Sequence, residues 1–351
     1  MSHTKRMVVG GVDTHSATHH ATIVDEHGRL LGDAEFPATP HGYAKLLSWM
    51  QSLGRLARVG VEGTGAYGAG LARHLHERGV VVLEVPRPDR RLRRQRGKSD
   101  PIDAEAAARA ALAGDTAGAP KLATGPIEAI RMLRVARGGA LKAKTAATNT
   151  LMAMVVTAPE PLRSQLRDLT RIKLVAACNR LRPDLGQLTD PTQAAKAALR
   201  SIAARAHSLE LEARALKRQL DELTTAAAPA TSAVFGLGPD TVAALLVAVG
   251  DNPDRLRSEA AFAHLCGVAP IPASSGKTHR HRLHRGGDRS GNRALHIAVV
   301  VRLRYHQRAR DYAARRTTEG LSMPEIIRCQ KRYLAREVFT TLRADYAAIT
   351  T

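Results

Sequence analysis

Short apolar runs alternate with segments of helical periodicity over the first quarter of the chain. Strands are predicted at 7–13, 20–24 and 29–36, and a Glu-His-Gly turn between the last two suits a hairpin. A helix (41–53), a strand (57–62), a helix (66–78) and a strand (80–85) are predicted to follow. The order βββαβαβ, with helices between the later strands, predicts an α/β domain with a mixed sheet.

The remainder of the chain is predicted to be mostly helical. After a basic segment at 89–98, Ser99 is a suitable N-cap residue for a helix. Pro101 is tolerated in the first turn, because an N–H there would have no partner within the helix. Later segments are Ala-rich and basic, with one long basic loop at 269–293. We therefore predict three parts: an α/β domain at 1–125, a helical connector at 126–228, and a mostly α C-terminal domain at 229–351.

Two rows of apolar residues recur every seven positions in the connector. The first row is Leu199, Ala206, Ala213 and Leu220, and the second, three residues later in each heptad, is Ile202, Leu209, Leu216 and Leu223. This pattern favours a coiled coil that joins a dimer or tetramer, and the alternative is an amphipathic helix lying on its own domain. The small and polar segment that follows, 224–232, is predicted to be a linker.

The charge balance favours binding to nucleic acid. The chain has 53 Lys and Arg against 32 Asp and Glu, a net charge of +21 and a pI near 10.8. Such a surplus raises the affinity for phosphate through counterion release, although a binder without chemistry would share it. Aromatic residues make up only 3%, which disfavours strand binding by base stacking.

The cysteines and the hydropathy bear on the compartment. Cys178, Cys266 and Cys329 stand far apart, which argues against a disulfide framework and fits a reducing cytoplasm. No stretch reaches the ~18 apolar residues of a membrane span. We therefore expect a cytoplasmic protein without a membrane partner.

Four acidic residues are the strongest candidate site. Asp13 and Glu62 end predicted strands, and Asp100 and Asp103 lie one turn apart at the start of a helix. If they converge, two carboxylates about 4 Å apart repel by about 4 kcal/mol at an effective dielectric of ~20. A divalent cation would offset that repulsion, and hard oxygen ligands select Mg²⁺ or Mn²⁺. Each acid alone could also serve a structural purpose, such as favouring a helix dipole.

Three segments carry a resemblance to a known family: GGVDTHSATHHATIVDEHG, GVEGTGAYG and RRQRGKSDPIDAEAAARAAL. They resemble the DEDD transposases of bacterial insertion sequences, the bridge-RNA-guided recombinases that use a serine. The resemblance implies a RuvC-like, RNase H-type N-terminal domain. The family pattern D…E…DxxD then falls on Asp13, Glu62, Asp100 and Asp103, and Lys98 belongs to a K-(T/S)-D motif.

The C-terminal part resembles the same family in the segment HLCGVAPIPASSGKTHRHRLHRGGDRSGNRALHIA. In that family the second serine before the glycine is the proposed nucleophile, which implies Ser275 rather than Ser274. Cations that could steady a phosphate follow at Lys277, Arg280, Arg282, Arg285, Arg289 and Arg293. The stretch HRHRLHR departs from the family, which often has lysine or glycine-rich residues there.

Two further motifs have weaker chemistry. His279, His281 and His284 invite a zinc site, but the interleaved arginines and the lack of an evident fourth ligand favour phosphate contact. Gly236-x-Gly238 before a small-residue helix is similar to a helix-hairpin-helix turn, and a plain glycine turn between packed helices is an equal alternative.

The resemblance implies a transposase or site-specific recombinase of an insertion sequence. It would act on donor and target duplex DNA, with a guide RNA encoded by the element, through metal-assisted attack by Ser275. The alternative is a RuvC-like hydrolytic nuclease or junction resolvase in which Ser275 is structural. An ATP-binding sugar kinase or actin-like protein would need further glycine-rich phosphate loops, and a non-catalytic binder would leave the four acids without a purpose.

Overall fold

The computed structural model describes residues 6–85, 99–116, 118–252, 256–276 and 281–350. Three of the predicted nucleic-acid contacts, Lys98, Lys277 and Arg280, lie outside the described residues, as does His279. The chain forms two compact units, Met1–Glu128 with Leu245–Thr351, and Ala129–Ala244. The domain boundaries predicted after residues 125 and 228 stay predictions.

A five-stranded mixed sheet is the centre of the N-terminal part. Its strands are β1 (Met7–Thr14), β2 (Thr18–Asp25), β3 (Leu30–Pro37), β4 (Arg55–Glu62) and β5 (Val82–Val85). The spatial order is β3-β2-β1-β4-β5, with β1–β2 and β2–β3 antiparallel and β1–β4 and β4–β5 parallel. The predicted RNase H-like α/β fold is confirmed, as is the order of its elements.

Helices cover both faces of this sheet. Helices α1 (Pro40–Ser52) and α2 (Ala69–His76) form one core with β-strand residues such as Val8, Val12 and Val61. Helix α3 (Asp100–Ala113) packs on the other face, where Val9 and Val24 meet its alanines. Because side chains alternate along a strand, positions 9, 11 and 13 of β1 face α3.

Two glycines allow α3 to lie very close to the sheet. A Cβ atom on Gly11 would overlap the backbone nitrogen of Ala108 and the carbonyl oxygen of Ala104. A Cβ on Gly60 would lie 2.6 Å from the carbonyl oxygen of Ala107. Four alanines of the helix are buried on this face, so the backbone of α3 rests almost directly on β1 and β4.

Helices make up the second unit. They comprise most of α4 (Gly125–Val156), then α5 (Glu160–Leu166), α6 (Arg171–Asn179), a 3₁₀ turn (Leu185–Gln187), the long α7 (Pro191–Ala227), α8 (Pro229–Ser232) and the start of α9 (Pro239–Val249). Leu151, Leu162, Leu174, Leu199 and their neighbours form its core. An ion pair of 2.6 Å joins Lys144 of α4 to Glu210 of α7.

The two heptad rows of α7 have different environments. All four residues of the first row, Leu199, Ala206, Ala213 and Leu220, are buried within the chain itself. In the second row Leu223 is 37% exposed, and Ile202, Leu209 and Leu216 are partly buried. The first row therefore packs as an amphipathic helix on its own unit, and only the second row remains open to another chain.

The predicted linker at 224–232 is wrong. Helix α7 continues to Ala227 and α8 begins at Pro229, and Thr224, Ala228 and Thr231 are fully buried. Small and polar residues resemble a loop in composition, but here their size suits close helix packing. Tertiary burial overrides the local preference.

A turn with Gly236 at φ +89° precedes α9. The N–H of Gly238 in this turn donates to Thr241 Oγ1 at 2.8 Å. A phosphate could take that N–H only by displacing the threonine hydroxyl.

The C-terminal part of the first unit is mostly helical, as predicted. It contains α10 (Glu259–Leu265), a small hairpin of β6 (Ile271–Pro272) and β7 (His281–Arg282), then α11 (Arg289–Tyr305), α12 (Gln307–Thr318) and α13 (Met323–Thr350). Asp251 joins it to the N-terminal part by accepting hydrogen bonds from the N–H groups of Leu122 (2.9 Å) and Thr124 (2.8 Å). Within the described residues, no helix is long and apolar enough to cross a membrane.

Replacing Gly11 with alanine should destabilise the N-terminal part, because the new methyl group would push α3 off the sheet. We expect Gly11→Ala to lower the free energy of unfolding by about 1–3 kcal/mol or more, measured by denaturant titration. Gly65→Ala is the matched control, since a Cβ there meets nothing within 4 Å. Equal stability of the two variants would show that the close approach of α3 is not required.

Candidate active site

Asp13 lies near the end of β1 on the face that α3 covers. Asp13 shares a face of the strand with Val9 and Gly11, so its side chain points toward the helix, and the residue is only 7% exposed. A buried carboxylate needs a cation or several donors, because desolvation strongly disfavours an isolated charge.

Glu62 ends β4, the parallel neighbour of β1. Val61 pairs with Val12 in the parallel ladder, so the next residue of each strand, Glu62 and Asp13, lies at the same end of the sheet. The hydroxyl of Thr14 donates to the backbone carbonyl oxygen of Glu62 at 2.8 Å and holds the two strand ends together. Glu62 is 7% exposed, so a second carboxylate is buried at this edge.

Asp100 and Asp103 lie in the first turn of α3. Ser99 is the N-cap residue as predicted, with extended backbone, but its side chain makes no capping hydrogen bond among the residues described. Asp103 is 4% exposed, whereas the side chain of Asp100 is about half exposed. Both carboxylates lie at the positive end of the helix dipole, where a negative charge is favourable for the helix.

His15 is a residue of this site that the sequence reasoning missed. Its Nε2 lies 3.2 Å from Asp13 Oδ2 and 3.2 Å from Asp100 Oδ1, so the ring stands between the two carboxylates. The spacing Asp13-x-His15 was the available signal, because residues two apart at a strand end share a face. The ring connects the end of β1 to the start of α3.

The donor atoms of Asp13, His15 and Asp100 all lie within 4.8 Å of one another. A divalent cation fits this set, because its charge offsets the repulsion of carboxylates gathered at one edge. The carboxylate oxygens suit Mg²⁺ or Mn²⁺, and an imidazole nitrogen is tolerated better by Mn²⁺. Glu62 and Asp103 are buried on the strand and the helix that form the same edge.

Ser275 lies beyond β6 in the segment that leads to β7. Ser274 and Ser275 are both exposed, and Gly276 has φ +55°, a conformation that favours glycine. Among the described residues, no hydrogen bond or ion pair connects Ser275 to the four acids. The hydroxyl is therefore accessible to a large substrate.

The predicted basic contacts within the described chain gather at the base of this hairpin. Arg285, Arg289 and Arg293 line a cavity of about 500 Å³ at the start of α11. Arg282 and Arg285 line another of about 510 Å³. Asp288 caps α11 by accepting from the N–H of Gly291 at 2.7 Å, which fixes the helix that presents two of these arginines.

The histidine motif gives no metal site in the described part of the chain. The only group of three or more potential ligands there is Asp13, His15 and Asp100. His284 instead packs edge-on against His264, with ring centroids 5.1 Å apart. Because His279 lies outside the described residues, phosphate contact by this loop stays a prediction.

Comparison with known proteins bears on both halves. Residues 10–159 match a family described as DEDD_Tnp_IS110, a transposase, and residues 230–314 match one described as transposase of the IS116/IS110/IS902 family. A similar protein is the "Insertion element IS110 uncharacterized 43.6 kDa protein" of Streptomyces coelicolor, 27% identical over 191 residues. The match covers 52% of this chain and about half, 47%, of that relative. The first family segment contains all four acids, and the second contains Ser275.

Replacing Asp13 with asparagine should remove the response of the protein to divalent cations. We expect millimolar Mg²⁺ or Mn²⁺ to raise the melting temperature of the wild type relative to chelator, because a cation that binds only the folded state stabilises it. Asp13→Asn should lose most of that shift. The control Glu26→Gln removes an exposed carboxylate of the turn between β2 and β3 and should keep the shift. A full shift in Asp13→Asn would place the cation elsewhere.

Proposed function

Since the chain belongs to the IS110 family of transposases, we propose that it moves an insertion sequence by cutting and rejoining DNA strands. The observation that carries this proposal is the convergence of Asp13, His15 and Asp100 where β1 meets α3. A binding protein without chemistry has no use for carboxylates buried at such an edge, because they repel both one another and nucleic acid.

The four acids would hold Mg²⁺ or Mn²⁺, with His15 as a fifth donor or as the group that orients Asp13 and Asp100. Such a cation stabilises the negative charge that develops on phosphate oxygens during strand transfer. Asp13 and Glu62 belong to rigid neighbouring strands, which is the kind of support that a site of fixed geometry requires. Asp100 stands more exposed and is the acid best placed to meet a substrate.

Ser275 would act as the nucleophile. Its Oγ would bond to the phosphorus of a DNA phosphodiester, its proton would pass to solvent, and the deoxyribose oxygen would leave and take up a proton. The reverse attack by a deoxyribose hydroxyl would release the serine and reseal a strand. The exposure of Ser275 and the arginines at the base of its hairpin support this role.

The acids and the serine would form one composite centre, completed either within one chain or between two copies. The acids alone could also cut DNA by activating water, because the acidic edge is complete without Ser275. That second candidate, a RuvC-like hydrolytic nuclease, predicts nicked DNA with free ends and no covalent intermediate.

The partners would be donor and target duplex DNA and a guide RNA encoded by the element. A net charge of +21 supports binding to nucleic-acid backbones without reading sequence. Base pairing by the RNA would then supply the target choice, as in other guided systems. We place this activity in the bacterial cytoplasm, at the nucleoid.

The partly open row of α7 would join two copies of the chain. Leu209, Leu216 and Leu223 keep heptad spacing and are not fully buried by their own unit. The double change Leu216→Glu and Leu223→Glu should convert a dimer or tetramer to monomers in size-exclusion chromatography with light scattering.

The control for that change is Gln219→Glu, which adds negative charge at an exposed position of the same helix. It should leave the mass unchanged. A double variant that keeps the mass of the wild-type assembly would locate the interface elsewhere.

Replacing Ser275 with alanine should abolish the covalent protein–DNA adduct that survives denaturant. The substitution removes only the hydroxyl group that would form the bond, so the binding of RNA and DNA should persist. Ser274→Ala is the matched control and should retain the adduct, which gel electrophoresis of labelled DNA detects. An adduct in Ser275→Ala would exclude this serine, and free nicked ends from the wild type without any adduct would favour hydrolysis.

A further inference from the structure

A third cavity, of about 750 Å³, lies in the C-terminal part of the first unit. Its walls come from the β6–β7 hairpin, α12 and α13. Six cationic side chains line it: Arg282, Arg316, Arg328, Lys331, Arg332 and Arg336. Glu325 is the one carboxylate among its described lining residues.

Glutamates neutralise four of the six cations only in part. Arg316 pairs with Glu319, and Arg328 lies 3.8 Å from Glu325. Arg332 and Arg336 share the single carboxylate of Glu259, the second at 3.1 Å. These pairs hold the side chains in place while leaving the cavity net positive.

Lys331 and Arg282 have no carboxylate partner among the residues described. Lys331 is only 6% exposed, and its Nζ donates to Asn292 Oδ1 at 2.9 Å. Asn292 is itself fixed, because its Nδ2 donates to the carbonyl oxygens of Cys266 (2.9 Å) and Gly267 (3.0 Å). The ammonium group therefore has one neutral acceptor for its three N–H donors.

A buried cation without a counter-ion is unfavourable, because burial penalises the charged form. Burial lowers the pKa of Lys331 below its usual value, and the charge of Arg328 lowers it further. An anion in the cavity would relieve both effects by accepting the remaining N–H groups.

His284 adds an independent sign of a missing partner. It lines the same cavity from the segment after β7, and its Nδ1 is buried with no hydrogen-bond partner in the described part of the chain. A buried ring nitrogen without a partner is uncommon unless a ligand or water supplies one.

We propose that this cavity binds a backbone phosphate of DNA, with Lys331 as its buried cation and Arg282 as the cation at its rim. The cavity is large enough for a phosphate and its sugar. It lies at the base of the hairpin whose loop carries Ser275, so a phosphate held there would position the strand beside that serine. The choice of DNA as ligand rests on the proposed function, whereas the anion site itself rests on the lining cations, the burial of Lys331 and the unpartnered Nδ1 of His284.

The test compares Lys331→Met with wild type for binding to duplex DNA over a salt series. Methionine fills the same space without charge, so the fold should persist. We expect about tenfold weaker binding at low salt and a salt dependence reduced by about one phosphate contact. Arg343→Met is the control, because it removes an exposed charge of the same helix outside the cavity, and it should change the affinity much less.

A second measurement uses inorganic phosphate as the probe. Phosphate should raise the melting temperature of wild type and of Arg343→Met above that in chloride of equal ionic strength, and should not raise that of Lys331→Met. An equal rise in Lys331→Met would overturn the anion site. A rise that depends on Lys331 without any change in DNA affinity would overturn the assignment to DNA.

These outcomes are separate from the covalent chemistry. If wild type forms no adduct and yet loses DNA affinity on Lys331→Met, the phosphate site stands and the serine mechanism fails. If the adduct forms and Lys331→Met binds DNA like wild type, the serine mechanism stands and the phosphate site fails.

Discussion

The close approach of α3 to β1 and β4 is the constraint on which the acidic edge depends. Gly11 and Gly60 have no side chain where the helix backbone comes nearest, and the facing turns of α3 carry alanines. Along β1 and β4, Asp13 and Glu62 each stand two positions after a glycine, so they point to the same side as the helix. The spacing that brings alanine against glycine therefore also brings the start of α3, with Asp100 and Asp103, against the strand ends.

This packing places like charges together, and the site is arranged to tolerate them. The start of α3 presents its positive dipole end to its own two aspartates. The Nε2 atom of His15 stands between Asp13 and Asp100, at 3.2 Å from a carboxylate oxygen of each. A divalent ion would complete the compensation. The close contact between glycine and alanine thus gathers the carboxylates and His15 into one group that could hold a metal ion.

Local pattern predicted this half well, because its central strands are short, apolar and buried runs with Asp13 and Glu62 at or near their ends. The structure moves the predicted strand ends by only one or two residues. The sequence spacing places His15 near Asp13, but its contact with Asp100 depends on the packing of α3 against the end of β1, which local pattern does not give. Lys331 escaped for a similar reason, since Asn292, 39 residues earlier, anchors it. The error at 224–232 has the opposite origin: alanine and threonine were taken for a linker, whereas their small size allows tight helix packing.

Under the proposed function, the acidic edge and the basic cavity would act on one substrate, the phosphodiester. An acidic edge by itself repels DNA, and a basic cavity by itself has no reason to hold a strand near a cation. Together they would divide the work: cations near the Ser275 hairpin bind the backbone, and the carboxylates hold the metal that meets the reacting phosphate. On this view the high net charge of the chain would speed its association with nucleic acid, whereas Lys331 would hold one phosphate at a fixed position. A surface lysine would bind phosphate as well, but only a buried one, fixed by Asn292, holds it at a defined place.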